Sequence, residues 1–148
     1  MSRLAPDSRA DYPHQHALPT RWNDNDIYGH VNNAVYYALF DTVVNRWLID
    51  TDLLNLGESD TIGLVVETGC HYFAPLAFPH AVTAGLRVGH VGTSSVRYEI
   101  GLFGENDTTA ARGHFVHVYV NAEARRPVPI PDRMRRALQT LMRGGGYS

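Results

Sequence analysis

The stretch Asn33–Asp50, NAVYYALFDTVVNRWLID, gives the strongest secondary-structure signal in the chain. Its large apolar residues recur at i and i+4 in two adjacent rows, which is the spacing of one helix face. These residues are Val35, Tyr36, Leu39, Phe40, Val43, Val44, Trp47 and Leu48. Asp41, Asn45 and Arg46 fall on the opposite side. The stretch therefore predicts a helix whose wide apolar face is buried against a broad surface, such as a curved sheet.

The segments around this helix are typical of β-strands. A short strand is predicted before it, at about residues 16–22. Four extended segments rich in β-branched and aromatic residues follow it, at residues 62–73, 82–91, 95–103 and 110–121. Turn signals near residues 92–93 and 104–107 favour antiparallel pairing of consecutive strands. Pro131 is expected to open a last short helix over residues 132–142. This order predicts an α+β fold with one long helix across an antiparallel sheet.

Length and composition indicate one globular domain. The chain has 148 residues, of which 44% are hydrophobic and 19% charged. That composition excludes disorder of the whole chain, and the length suits a single core. We expect a flexible N-terminal arm at residues 1–15, the domain at residues 16–142, and a C-terminal tail at residues 143–148.

Charge and cysteine content exclude several functional classes. The net charge of −2 argues against a general binder of nucleic acid or of anionic membranes. The single cysteine, Cys70, can form neither an internal disulfide nor a thiolate zinc site. No apolar run is long enough to cross a bilayer, and the N-terminus lacks the apolar core of a signal peptide. We expect a cytoplasmic protein without metal or cofactor.

The residues just before the long helix could carry chemistry. Asp24, Asp26, Gly29 and His30 lie there, close to the unpaired N–H groups and positive dipole end of the helix. Such a place stabilises an oxyanion, and an upstream carboxylate could serve as nucleophile or general base. On spacing alone, the common alternative is that these aspartates decorate a turn and that Asn32 caps the helix. A calcium loop is excluded because the required downstream glycine and glutamate are missing.

Other candidate motifs are weaker. His114 and His117 are an odd number of positions apart, so on a strand they face opposite sides and cannot chelate one ion together. Ser94 and Ser95 do not lie in a G-x-S-x-G pattern, so neither is predicted as an elbow nucleophile. Several arginines cluster near the C-terminus, where they could bind phosphate or simply be solvated.

Residues 21–33, RWNDNDIYGHVNN, followed by Tyr36 and Phe40, resemble the signature of the hot-dog-fold acyl-CoA thioesterases, the 4-hydroxybenzoyl-CoA thioesterase-like family. The resemblance continues through Tyr72 and Pro75 and covers roughly residues 16–140. It implies a hot-dog fold, in which a curved antiparallel sheet wraps a long helix. It also implies a homodimer or homotetramer with active sites at the subunit interface.

The same resemblance implies roles for particular residues. Asp26 matches the catalytic carboxylate, acting as nucleophile or general base, and the backbone N–H of Asn33 matches the oxyanion donor. Gly29 and His30 belong to the same motif, in which the glycine would allow close approach of the thioester. The turn with Thr93, Ser94 and Ser95 resembles the part of the family fold near coenzyme A. Because the chain has no lysine, we expect arginines to meet the phosphates: Arg87 and Arg97, on strands either side of that turn, or Arg125 and Arg126.

These observations predict a thioesterase that hydrolyses an acyl-CoA to free acid and CoA. Two alternatives stay open: a hot-dog protein that binds acyl groups without hydrolysis, and a hot-dog dehydratase, which requires a paired histidine and acid. The acyl pocket is expected between residues 62–66, the helix face and a second subunit.

Overall fold

The computed structural model describes residues 4–53 and 60–142. Its strands are β1 His14–Leu18, β2 Thr61–Tyr72, β3 Val82–Val91, β4 Ser95–Phe103 and β5 Ala111–Asn121. Its helices are α1 Asn33–Asp50 and α2 Asp132–Gln139, and short 3-10 turns lie at Arg9–Asp11 and Trp22–Asp24. The predicted tail at residues 143–148 lies outside the described residues. Within the described ranges, neither helix has the length and hydropathy needed to span a bilayer.

The five strands form one antiparallel sheet in the order β1-β3-β4-β5-β2. Consecutive pairing was expected, and it holds for β3–β4 and β4–β5. It is wrong for β2–β3, because β2 pairs with β5 and becomes an edge strand. The connection at residues 73–81 contains Pro75 and Pro79 and is too long for a tight hairpin, so it carries the chain across the sheet instead.

Helix α1 lies across one face of this sheet, as the apolar stripe predicts. Tyr36, Leu39, Phe40, Val43, Val44, Trp47 and Leu48 are all buried. The Phe40 ring lies on Gly113 of β5 so closely that a Cβ there would overlap the ring. It also meets Phe115 edge to face, with the ring centroids 6.0 Å apart. The predicted α+β architecture is confirmed.

The N-terminal segment differs from the predicted flexible arm. Residues 7–12 pack on the outer face of the sheet, which is the face opposite α1, and Tyr12 is only 3% exposed. Asp7 pairs with Arg87 at 3.0 Å, and the Arg87 guanidinium lies 4.5 Å from the centre of the Tyr12 ring. We call residues 4–12 the N-terminal strap. The sequence around Tyr12 gives no sign of this packing, because the groove that holds the ring is formed by distant glycines.

Substituting Gly101 tests how the strap is held. A Cβ at Gly101 would lie 2.6 Å from the Tyr12 ring, so Gly101→Ala should displace the ring and lower the free energy of unfolding by about 1–3 kcal/mol. In a Tyr12→Ala background the same substitution should cost little, since no ring is left to displace. Chemical denaturation of the four proteins measures this coupling. Equal costs in both backgrounds would show that the groove does not hold the strap.

Strand β5 places one histidine in the core under α1. His117 is buried beside Tyr98, with the ring centroids 5.1 Å apart, and its Nε2 has no hydrogen-bond partner among the described residues. Burial lowers the pKa of His117, and the nearby Asp41 carboxylate only partly offsets this effect. Burial likewise lowers the pKa of His14. The folded protein therefore holds His117 in its neutral form.

This burial makes stability depend on pH in a defined direction. The unfolded chain takes up a proton on His117 near pH 6.5, whereas the folded chain does so only at lower pH. Stability is thus fully present above pH 6.5 and is lost as the pH falls towards the folded pKa. We predict that His117→Gln reduces the slope of unfolding free energy against pH in this window, by at most about 1.4 kcal/mol per pH unit. Parallel wild-type and variant curves would contradict the assignment.

Candidate active site

Asp24 holds the segment that precedes α1. It is buried, and both of its carboxylate oxygens are occupied by Arg21: Oδ2 accepts from the backbone N–H at 2.8 Å, and Oδ1 accepts from Nη2 at 2.9 Å. The Asp24 carbonyl also accepts from the Asn32 N–H at 2.8 Å. With both oxygens engaged, this carboxylate stabilises the loop and is not free to act on a substrate.

Asp26 occupies a tight turn that leaves part of its carboxylate free. Its N–H donates to the His30 carbonyl at 2.8 Å, and its carbonyl accepts from Gly29 at 3.0 Å. Gly29 has φ +79°, a conformation that side chains rarely adopt, so glycine suits this position. Oδ1 accepts from the Tyr28 N–H at 2.8 Å, whereas Oδ2 has no hydrogen-bond partner in the described part of the chain. Asp26 therefore presents one unpaired oxygen in a fixed direction.

Helix α1 begins next to this turn with a free donor. Asn32 caps the helix: its Oδ1 accepts from the Ala34 N–H at 2.9 Å, and its carbonyl accepts from Val35 at 2.9 Å. The N–H of Asn33 has no acceptor among residues 4–53 and 60–142. This N–H lies at the positive end of the helix dipole, where it can stabilise a developing negative charge.

A cavity of about 280 Å³ brings the two groups together. Its lining includes Asp26, Tyr28, His30, Asn33, Tyr36 and Tyr72. Asp26 also borders an open groove of about 620 Å³ that contains Trp22 and Ile27. The carboxylate thus lies at the junction of two clefts, which suits a substrate that extends on both sides of its reacting bond.

Tyrosines form much of the cavity wall. The rings of Tyr36 and Tyr72 meet edge to face, with their centroids 4.9 Å apart. Neither was predicted as a site residue, although Tyr36 lies one turn after Asn33 and so on nearly the same side of the helix. The neighbouring Cys70 is not a nucleophile, because burial raises the pKa of its thiol to about 11 and keeps it protonated near neutral pH.

The predicted coenzyme A turn lies far from Asp26 in the same chain. The loop of Asp26 is bonded to Phe78 and therefore sits at the start of β3. Thr93, Ser94 and Ser95 lie beyond the other end of that strand, roughly 30 Å away at about 3.3 Å per residue. Arg135 fixes the turn by donating to the Thr93 carbonyl at 3.1 Å. One chain alone does not bring these predicted residues together.

The two predicted phosphate ligands on strands differ in how exposed they are. Arg87 is only 6% exposed and bonds Glu99 at 2.8 Å and Asp7 at 3.0 Å, so the structure engages its guanidinium in ion pairs under the N-terminal strap rather than leaving it open for a phosphate. Arg97 bonds Glu99 at 3.1 Å on the outer face of the sheet but stays partly exposed. Burial alone would raise the pKa of Glu99, but hydrogen bonds from both arginines outweigh it and lower that pKa.

Histidine–acid pairs occur outside this cavity. His114 bonds Glu67 at 2.8 Å on the outer face of the sheet. His80 pairs with Glu105 at 3.2 Å, and both line a separate cavity of about 210 Å³. Neither pair lies beside Asn33. In the part of the chain that the structure describes, no three histidine, cysteine, aspartate or glutamate side chains converge as metal ligands would.

Comparison with known proteins identifies relatives along almost the whole chain. A family model described as thioesterase-like superfamily matches residues 20–138. The PA5185 protein of Pseudomonas aeruginosa is 49% identical with a TM-score of 0.91, and the match covers 95% of this chain and 99% of that one.

Two further solved structures are similar at lower identity. PA2801 of Pseudomonas aeruginosa, a putative thioesterase, is 31% identical with a TM-score of 0.79, over 86% of this chain and 98% of that one. A Thermus thermophilus thioesterase complexed with coenzyme A and Zn is 28% identical with a TM-score of 0.74, over 88% of this chain and 95% of that one. No curated protein matches the sequence.

Proposed function

The chain belongs to the thioesterase-like superfamily and is a thioester hydrolase, and from this premise we propose that it cleaves acyl-CoA in the cavity between Asp26 and Asn33. The resemblance to hot-dog thioesterases is confirmed by these relatives. One observation carries the assignment of the site: an unpaired carboxylate oxygen and an unpaired helix N–H line the same cavity. The Thermus thermophilus thioesterase complexed with coenzyme A supports CoA as the carrier.

The mechanism starts with the thioester carbonyl oxygen accepting from the Asn33 N–H. As the carbonyl carbon becomes tetrahedral, negative charge develops on that oxygen, and the helix end stabilises it. Oδ2 of Asp26 then acts in one of two ways. It attacks the carbon, expelling CoA thiolate and leaving an anhydride that water hydrolyses, or it removes a proton from a water that attacks directly. Both routes yield the free acid and CoA.

Gly29 and His30 serve the site through the backbone. The positive φ of Gly29 allows the turn, and the His30 carbonyl fixes the Asp26 N–H. We propose that exposed His30, a residue of the cavity lining, contacts the substrate. The dehydratase alternative is disfavoured, because the family model that matches residues 20–138 is thioesterase-like.

The two aspartates should respond differently to substitution. Asp26→Asn should keep the fold and lower kcat at least about 100-fold, because the side chain loses its negative charge at the reacting atom. Asp24→Asn should lower thermal stability more and kcat less, because it weakens the contacts with Arg21. Release of CoA, followed with a thiol reagent over a panel of acyl-CoA esters, measures both. An active Asp26→Asn beside an inactive Asp24→Asn would reverse the assignment, and no turnover by wild type would favour a binding protein.

We further propose that the working unit is a homodimer joined at β2. This strand is an unpaired sheet edge and exposes Val65 at 48% and Val66 at 60%. If β2 of a second copy paired antiparallel with this edge, the two sheets would join with all of their strands reversed relative to each other. The partner subunit's β3–β4 turn would then come to the end of the sheet where Asp26 lies. This arrangement would let Thr93, Ser94 and Ser95 contribute to a CoA site across the interface.

The same arrangement identifies the remaining phosphate candidates. Arg125 and Arg126 follow β5 and are exposed at the end of the sheet that carries the 92–95 turn, so they would approach the substrate together with it. Arg97 lies near the start of β4 at that end. We propose that CoA phosphates meet these arginines across the interface.

Charging the β2 edge tests the interface. Wild type should sediment as a dimer at micromolar concentration, and the double variant Val65→Asp/Val66→Asp should sediment near the 16.5 kDa of one chain and lose activity. Ile49→Asp is the matched control, because Ile49 is 50% exposed but lies at the end of α1. A wild-type monomer with full activity would contradict the proposed interface.

A further inference from the structure

We infer that Asn25 is a positioning residue that aims the Asp26 carboxylate at the substrate. Its side-chain Oδ1 accepts from the Phe78 N–H at 3.0 Å, which joins the Asp26 loop to the connection between β2 and β3. Asn25 directly precedes Asp26; it borders the open groove of about 620 Å³ but does not line the 280 Å³ cavity that holds Asn33. The inference rests on the proposed thioesterase function and adds a residue whose role is to hold the catalytic turn.

The geometry of the loop explains why this link matters. On one side of Asn25, the carboxylate of Asp24 is fixed by Arg21. On the other side, the Val31 N–H donates to the Leu76 carbonyl at 2.7 Å and so fixes the far end of the turn. The position of Asp26 between them depends on the backbone of Asn25, which the bond to Phe78 holds against the connection. Without that bond, the turn keeps its backbone bonds to His30 and Asn32 but loses its side-chain bond to the connection, so Asp26 can shift relative to the cavity wall that the connection forms.

The link is also specific in its chemistry. Three contacts hold this loop: Arg21 with Asp24, Val31 with Leu76, and Phe78 with Asn25. Of these, only the contact of Asn25 joins the loop to residues 73–81 through a side chain. In the described part of the chain, the Phe78 N–H has no other acceptor. Alanine removes the acceptor, whereas aspartate keeps an oxygen at the same place. Asn106 offers a control away from both clefts that border Asp26, since it is exposed between β4 and β5 and its side chain makes no hydrogen bond with the described residues.

The experiment compares Asn25→Ala, Asn25→Asp and Asn106→Ala with wild type. The measurements are kcat and KM on an acyl-CoA that wild type hydrolyses, thermal midpoints, and hydrogen exchange at the Phe78 amide. Asn25→Ala should lower kcat at least about 10-fold, leave KM within about twofold, and speed exchange at Phe78. Asn25→Asp should recover most of kcat and the slow exchange, and Asn106→Ala should match wild type. Asn25→Ser takes the place of the alanine variant if that variant does not fold.

Several results would overturn the inference. If Asn25→Ala had the kcat of wild type although exchange at the Phe78 amide became faster, the bond would exist but would not position Asp26. Slow exchange at Phe78 in Asn25→Ala would mean that the bond does not hold the loop. An equal loss of kcat in the alanine and aspartate variants would exclude a role through the acceptor oxygen. A wild type that hydrolyses no acyl-CoA would instead refute the proposed function, and this inference with it.

Discussion

Burial of the apolar face of α1 against the sheet is the constraint on which the rest of the structure depends. The Phe40 ring lies directly on Gly113, so the helix approaches the sheet closely and at a fixed position. This contact fixes where the first turn of the helix lies relative to the sheet. Because Asn32 caps the first turn, the Asn33 N–H, which has no acceptor among the described residues, is presented at a defined point beside Asp26. The packing of the core thus determines the position of the proposed oxyanion donor.

The turn that carries Asp26 is built mainly by hydrogen bonds rather than by packing. Asp24 anchors its entry, and contacts to the connection at residues 73–81 hold it against the body of the domain. Large apolar side chains on the same loop remain exposed, among them Trp22 and Ile27. A loop whose backbone is held by hydrogen bonds and whose apolar side chains are exposed suits a site that substrate or a second subunit completes.

The sequence was informative where the signal is local. The periodicity of α1 predicts both ends of the helix, and the turn residues predict β3 and β4 at their observed bounds. Contacts between distant segments were not predictable in this way. The groove for Tyr12 consists of Gly85 and Gly101, and Arg87 is buried by the strap that fills it, so neither the strap nor the pairing of Arg87 is visible in a linear pattern. The separation of Asp26 from the 92–95 turn depends likewise on a contact between distant segments, the bond from the Phe78 N–H to Asn25.

The central claim is that the thioester carbonyl binds between the Asn33 N–H and the Asp26 carboxylate. A crystal structure with an unreactive analogue, in which a methylene replaces the thioester sulfur of an acyl-CoA, tests it most directly. The carbonyl oxygen should lie about 2.7–3.2 Å from the Asn33 nitrogen. Oδ2 of Asp26 should face the carbonyl carbon, either in contact or through one water. A carbonyl bound elsewhere, with the Asn33 N–H facing only solvent, would contradict the proposed site.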